Sequence, residues 1–301
     1  MALKDISYVE AKLQWMEANS IWPNGQRYLW TDAFGLVLYL SLYQETADTK
    51  YLEQAKTLVD EVYRVLGRPR GLRIGEAADR DGQYYHYLAM WIYALTCYAR
   101  FDVGYHDEAV KLVKDIHPAF VIPGAGVIWK MREDLSGPYP GYGLGALDAY
   151  DGYVVYRLLD AAKLGREINE MYALMAPNYQ TLHIDQDLGL GMMMWLCHFF
   201  PEEEWALVQR AGSLDQLDRL WIHPPGYFCR QEGWRDMKFA FTNYGISLGL
   251  QAVNAYAQRV SALNRFFDNY QSGDEYDSNA ITHVMACTSH FPGFFLKHAF
   301  D

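Results

Sequence analysis

The sequence predicts an all-α fold: an (α/α)6 toroid of six helical hairpins in an inner and an outer layer, with room for a short β-hairpin in a rim loop. Three observations predict it. About twelve segments repeat apolar residues at helical spacing between clear breakers. Segments apolar on nearly every side alternate with amphipathic ones. Short joins alternate with long ones. No low-complexity tract or Pro/Ser-rich linker interrupts the pattern, so residues 1–301 read as one domain.

In chain order the segments are 4–19, 30–45, 48–66, 83–101, 106–120, 143–162, 164–179, 186–200, 202–221, 240–256, 258–272 and 277–291. The first is charged and amphipathic. Segment 30–45 carries "FGLVLYLSLY", apolar all round, and 48–66 answers it with "YLEQAKTLVDEVYRVL", charged on one face. The same contrast sets "YLAMWIYALTCY" in 83–101 against "HDEAVKLVKDIHPAF", and "GLGMMMWLCHFF" in 186–200 against "EEEWALVQRAGSLDQLDRL". "YGISLGLQAV" in 240–256 is again apolar throughout. A helix apolar on all sides is enclosed by others, whereas an amphipathic one faces water. The even-numbered segments should therefore form the inner layer and the odd-numbered ones the outer layer.

Inner-to-outer joins are short, such as "QETADT" and "FDVGYH". Most outer-to-inner joins are longer, such as "GRPRGLRIGEAADRDG", "VIPGAGVIWKMREDLSGPYPGY" and "WIHPPGYFCRQEGWRDMKFA". In an up-down array joins of one type share an end, so the long loops should gather where the inner helices begin, as a binding site requires. A weak internal repeat supports the hairpin unit: "EQAKTLVDEV" (Glu53–Val62) aligns without gaps with "DEAVKLVKDI" (Asp107–Ile116), each following an inner segment.

"YQETADTKYLEQAKTLVDEV" (Tyr43–Val62) is similar to a corner pattern of six-hairpin glycosidase-like proteins, in which TGD-x-x-YL-x-x-A opens an outer helix; Ala47 stands here where that pattern has glycine. "GLRIG…DGQYYHYL…W" resembles an uncharacterised branch of the same superfamily. The resemblance implies the toroid. None of its motifs is a catalytic signature, so it bears on the fold and not on the chemistry.

Half of the residues are hydrophobic and 16% are aromatic, enough for a large core. A net charge of −11 argues against a nucleic-acid or anionic-membrane surface. No apolar run reaches the roughly 18 residues of a membrane span, and the start lacks a signal-peptide core. Cys97, Cys197, Cys229 and Cys287 are far apart, with no CxxC pair. These features predict a cytoplasmic protein with free thiols and no zinc. There is no phosphate loop, HExxH or GxSxG, so no metal or cofactor is expected.

Chemistry should gather at the inner-helix starts. His86 opens one, after the glycine-rich stretch "GLRIGEAADRDG". Asp32 in "YLWTDAF", Asp148 and Asp151 in "LGALDAYDGY", Asp187 in "HIDQDLG", Asn243 in "FTNYG" and His283 in "DSNAITHV" stand at others. Helix dipoles there favour carboxylate anions. Asp148 and Asp151 share a helix face, and two close carboxylates raise each other's pKa, which suits a proton donor beside a base. Asp185 reads as a cap, with Asp187 turned about 200° from it toward the pocket. Trp30, Tyr84, Trp129 and Trp234 could stack a sugar ring or line an apolar cavity, and Arg73 could hold an anionic substituent.

The leading expectation is a glycosidase-type enzyme acting on a small-molecule or oligosaccharide substrate. Asp148, Asp151, Asp32, His86 and Asp187 are its catalytic candidates, and Trp30, Tyr84, Trp129, Arg73, Trp234, Asn243 and His283 its binding candidates. The alternatives are a sugar epimerase using histidines, a lyase, isomerase or cyclase acting on an isoprenoid, and a binding protein without chemistry.

Overall fold

The structure, a computed structural model, describes residues 2–221 and 239–297. Those residues hold one α-helix for each of the twelve predicted segments: α1 (Ile6–Ala18), α2 (Leu29–Thr46), α3 (Thr49–Leu66), α4 (Tyr85–Tyr98), α5 (Gly104–Phe120), α6 (Asp148–Asp160), α7 (Gly165–Met175), α8 (Asp187–Cys197), α9 (Glu204–Leu220), α10 (Ala240–Ala252), α11 (Ala257–Phe267) and α12 (Ala280–His290). Five short strands join them: β1 (Gln83–Tyr84), β2 (Val121–Ile122), β3 (Gly126–Ile128), β4 (Lys130–Met131) and β5 (Leu144–Gly145).

The two kinds of helix bury themselves as their sequences require. In α2 every residue from Leu29 to Leu42 is buried. In α3 only Tyr51, Ala55, Leu58, Val59, Val62 and Leu66 are, a single stripe at three- and four-residue spacing. α4, α8 and α10 repeat the first pattern; α5, α7 and α11 repeat the second. The buried thiols of Cys97, Cys197 and Cys287 sit unbridged in inner helices α4, α8 and α12.

The chain divides into two compact units, 25–178 and 1–24 with 179–301. In the first, α2, α4 and α6 pack in succession, with α3, α5 and α7 each against its own hairpin partner. β2 and β3 form the expected hairpin, β5 adds to β3, and β1 pairs antiparallel with β4. These strands trim the predicted helices: α4 begins at Tyr85, not 83, and α6 at Asp148, not 143, because Gln83–Tyr84 and Leu144–Gly145 extend into ladders.

In the second unit α8, α10 and α12 pack in succession, with α9 on α8, α11 on α10 and α1 on α12. The contact between α8 and α10 depends on glycine. A Cβ on Gly191 would lie 2.3 Å from the Gly245 carbonyl oxygen, and one on Gly249 would lie 2.3 Å from that of Gly191. No helix among the described residues is long and apolar enough to cross a membrane.

Candidate acid–base site

The long loops of the 25–178 unit position the site. Tyr84 pairs with Lys130 across β1 and β4, and the Tyr85 N–H, an otherwise unmet donor at the start of α4, donates to the Trp129 carbonyl at 3.1 Å. α6 begins three residues after β5. The loop that carries Trp129 thus stitches the starts of α4 and α6 together, and His86, Asp148 and Asp151 meet there.

One ligating atom from each of the three side chains lies within 4.8 Å of the others. His86 Nδ1 is 2.7 Å from Asp151 Oδ2, and the histidine side chain is 17% exposed where the aspartate is 1%. The other Asp151 oxygen is buried without a hydrogen-bond partner among the described residues. Such an orphan costs about 1–3 kcal/mol, a cost that a bound hydroxyl could relieve. Asp148 is buried, with its carboxyl over Gly145, where a Cβ would stand 1.4 Å from Oδ2; only glycine leaves that space. Trp30 lies against the histidine at 4.7 Å between ring centroids and against Tyr87 at 5.3 Å.

Burial, and then repulsion from Asp151, push the Asp148 carboxyl up to about 8, against the opposing pull of His86. Burial alone would lower the His86 imidazole, but the charge and hydrogen bond of Asp151, and then Asp148, outweigh it and raise its pKa above the usual value. A neutral carboxylic acid therefore stands beside an imidazole that shares a proton with a second carboxylate. One group can give a proton while its neighbour takes one. The same donor set could hold a divalent cation, which would require Asp148 to give up its proton.

An aromatic shelf adjoins the start of α4. Tyr84 stacks on Trp129 at 5.7 Å and 15°, Tyr142 closes on both, and Trp129 is 45% exposed. Beneath it lies a residue that sequence reading passed over. Lys130 is fully buried, its Nζ 4.5–4.9 Å from the ring centroids of Tyr84, Tyr139 and Tyr142. It donates to the Arg80 carbonyl at 2.5 Å and to Glu76 at 3.2 Å, tying loop 71–82 to loop 129–142. The signal was available in "VIWKM": a lysine on the inward register of a two-residue strand, with tyrosines on both sides in sequence.

The remaining candidates lie outside this cluster and make contacts of their own. Asp32 pairs with Arg27 at 3.2 Å, both side chains buried, and accepts from the Tyr28 N–H at 3.1 Å, so it secures the entry to α2. Arg73 is held by Asp81 rather than presented to a ligand. Asp187 accepts from the Thr242 hydroxyl and from the Leu188 N–H. The cap of α8 is Gln186, not Asp185, because its side-chain oxygen reaches the Gly189 N–H at 3.3 Å. Asn243 is fully buried, donating to the Phe239 carbonyl at 2.7 Å while its own oxygen has no partner among the described residues. His283 donates from Nε2 to the Asp277 carbonyl at 2.9 Å. Trp234 lies outside the described residues.

No family model matches the sequence. No curated protein matches it either. Solved structures do. D-mannose isomerase is 14% identical over 94% of this chain and 97% of its own, with a TM-score of 0.69. Cellobiose 2-epimerase from Spirochaeta thermophila is 14% identical over 88% and 86%, with a TM-score of 0.63. The GH76A α-1,6-mannanase from Salegentibacter is 12% identical over 94% and 98%, with a TM-score of 0.61. That enzyme is also solved as an inactive variant, two consecutive aspartates replaced by asparagines, in complex with α-1,6-mannotriose. The likeness gives the fold class: all-α, an (α/α)6 toroid.

Proposed function

We propose that this chain is a carbohydrate-active enzyme that moves protons with His86, Asp148 and Asp151. The carrying observation is the 2.7 Å pairing of His86 with Asp151 beside the buried Asp148 carboxyl, whose burial and carboxylate neighbour favour its protonated form. Hydrolases, epimerases and isomerases of sugars share the fold, which supports the substrate class. In the hydrolytic form of the proposal, Asp148 protonates the departing glycosidic oxygen. Asp151, whose second oxygen has no hydrogen-bond partner among the described residues, attacks the anomeric carbon or activates water. Trp30 and the Tyr84–Trp129 shelf would hold the sugar's C–H faces.

One observation favours a second reading. His86 is the most exposed of the three groups, with Nδ1 committed to Asp151 and Nε2 left to act as base on a carbon-bound proton, the chemistry of epimerases and isomerases. A single pair of assays separates the readings. Release of reducing ends from a panel of manno- and gluco-oligosaccharides is expected for hydrolysis. Incorporation of solvent deuterium into a free sugar without bond cleavage is expected for proton transfer. If neither assay detects turnover by the purified chain, the enzyme reading fails.

A further inference from the structure

The unit that contains α8–α12 and α1 holds a cavity of about 370 Å³, within the range of small-molecule sites. No residue of the His86 cluster lines it. Its walls include Lys12 and Trp15 from α1, Thr282 and His283 from the first turn of α12, and Asp268 and Asp277 from the segment between α11 and α12.

The two acids in that wall are already satisfied. Asp268 accepts from the hydroxyls of Tyr8 and Tyr244, each at 2.9 Å, and pairs with His290 Nε2 at 2.9 Å. Asp277 accepts from the Ser272 and Gly273 N–H groups, each at 2.7 Å. Lys12 is half-buried and has no anionic partner among the described residues. Its ammonium lies 5.1 Å from the Trp15 ring centroid and 5.7 Å from that of Tyr8, with no hydrogen bond or ion pair among the described residues. His283 is 8% exposed. With Nε2–H committed to the Asp277 carbonyl, its Nδ1 is a bare acceptor with no partner among the described residues. Burial, and then Lys12, hold this imidazole down to about 4, so that it stays neutral in that tautomer. The Thr282 hydroxyl is buried and also lacks a partner. Trp15, 41% exposed, meets His283 edge-on at 4.7 Å.

A cation with no anionic partner among the described residues, a neutral ring acceptor and an indole face thus share one cavity. We propose that it binds a monosaccharide-sized polyol carrying one anionic group, with the anion on Lys12, a hydroxyl donating to His283 Nδ1 and the ring's C–H face on Trp15. The anion can be a carboxylate, as in a sugar acid, or a phosphate, as in a sugar phosphate. The site stands apart from the proposed reaction, and its test needs no turnover.

Calorimetric titration of the full chain with glucuronate, glucose 6-phosphate and glucose tests it. At least one anionic probe should saturate below roughly 10 mM and bind at least about tenfold tighter than glucose. The tighter of the two anions names the source. Lys12→Met should reduce that affinity by about tenfold, toward the level of glucose, while Lys12→Arg retains it. Trp15→Ala should weaken every probe. The proposal is overturned by no saturation with either anion, by glucose binding as tightly as the anions, or by Lys12→Met binding unchanged while its melting curve matches the wild type.

Discussion

The start of α6 and the start of α8 carry the same written pattern, an aspartate ahead of a long apolar run, and do different things with it. Asp187, opening α8, is buried but answered: Thr242 and the Leu188 N–H both donate to it. Asp148, opening α6, is equally buried and faces another carboxylate 2.7 Å from an imidazole. The first environment supplies hydrogen-bond donors; the second, through burial and a neighbouring carboxylate, favours a proton on Asp148. What distinguishes them is the neighbour: Thr242, 55 residues away, donates to Asp187, whereas Asp148 faces Asp151 one turn along its own helix, a carboxylate that His86 pairs from 65 residues away.

The largest test of this contrast is a pair of substitutions. Asp148→Asn should lower kcat by roughly 10²–10⁴, the range for loss of a positioned proton donor. Asp187→Asn should leave kcat within about threefold and appear mainly as lost stability. Steady-state assays on the best substrate from the oligosaccharide or exchange panels would read both. Equal losses of kcat would erase the distinction between the two helix starts.

The pH dependence of stability sharpens it. Asp148 is held at about 8 in the folded chain against 3.8 unfolded, so its contribution is full below 3.8 and is lost as pH rises toward 8. His86, raised above 6.5, contributes in the same direction and is lost as pH climbs through its folded value. Unfolding free energy should therefore fall between pH 4 and 8 through this cluster, by on the order of 5 kcal/mol at most, with the melting temperature falling in step. Asp148→Asn should flatten most of that slope, and Asp187→Asn should not. A wild-type profile parallel to that of Asp148→Asn would mean that Asp148 is ionised. In the same unit, Lys130→Met should cost about 3 kcal/mol in urea unfolding, because it strands Glu76 and the Arg80 carbonyl beneath the aromatic shelf.

The fold was legible because it rests on local periodicity. Each helix was written in its own residues, and α2 against α3 shows inner and outer character without reference to any partner. His86, Asp148 and Asp151 were legible as candidates because polar groups at inner-helix starts are costly and conspicuous. Their ranking was not. Asp32 looked equivalent until Arg27, five residues upstream, was seen folded onto it. Arg73 looked available until Asp81 claimed it. Lys130 is hard to read as a core residue because its burial depends on three tyrosines from separate segments; only the short inward-facing strand register in "VIWKM" hints at it. The trimmed start of α6 has the same origin: "LG" at 144–145 reads as helix until β3 offers it a ladder.

The smallest test compares one corner in each unit. Between α2 and α3 the chain turns through Ala47 at φ 55°, and after α10 it turns through Asn254 at φ 52°. Both occupy the left-handed region. Asparagine tolerates it through local hydrogen bonding, whereas alanine sets its Cβ against the carbonyl and gains nothing in return. Ala47 is exposed and its N–H already caps α2 through the Tyr43 carbonyl, so glycine there loses no packing and keeps the bond. Ala47→Gly should stabilise the chain by about 0.5–1 kcal/mol in urea unfolding. Asn254→Gly should change it by no more than about 0.3 kcal/mol in either direction. Equal gains at the two corners would show that asparagine's tolerance contributes nothing here, and a loss at Ala47 would show that the flexibility of unfolded glycine outweighs the relieved strain.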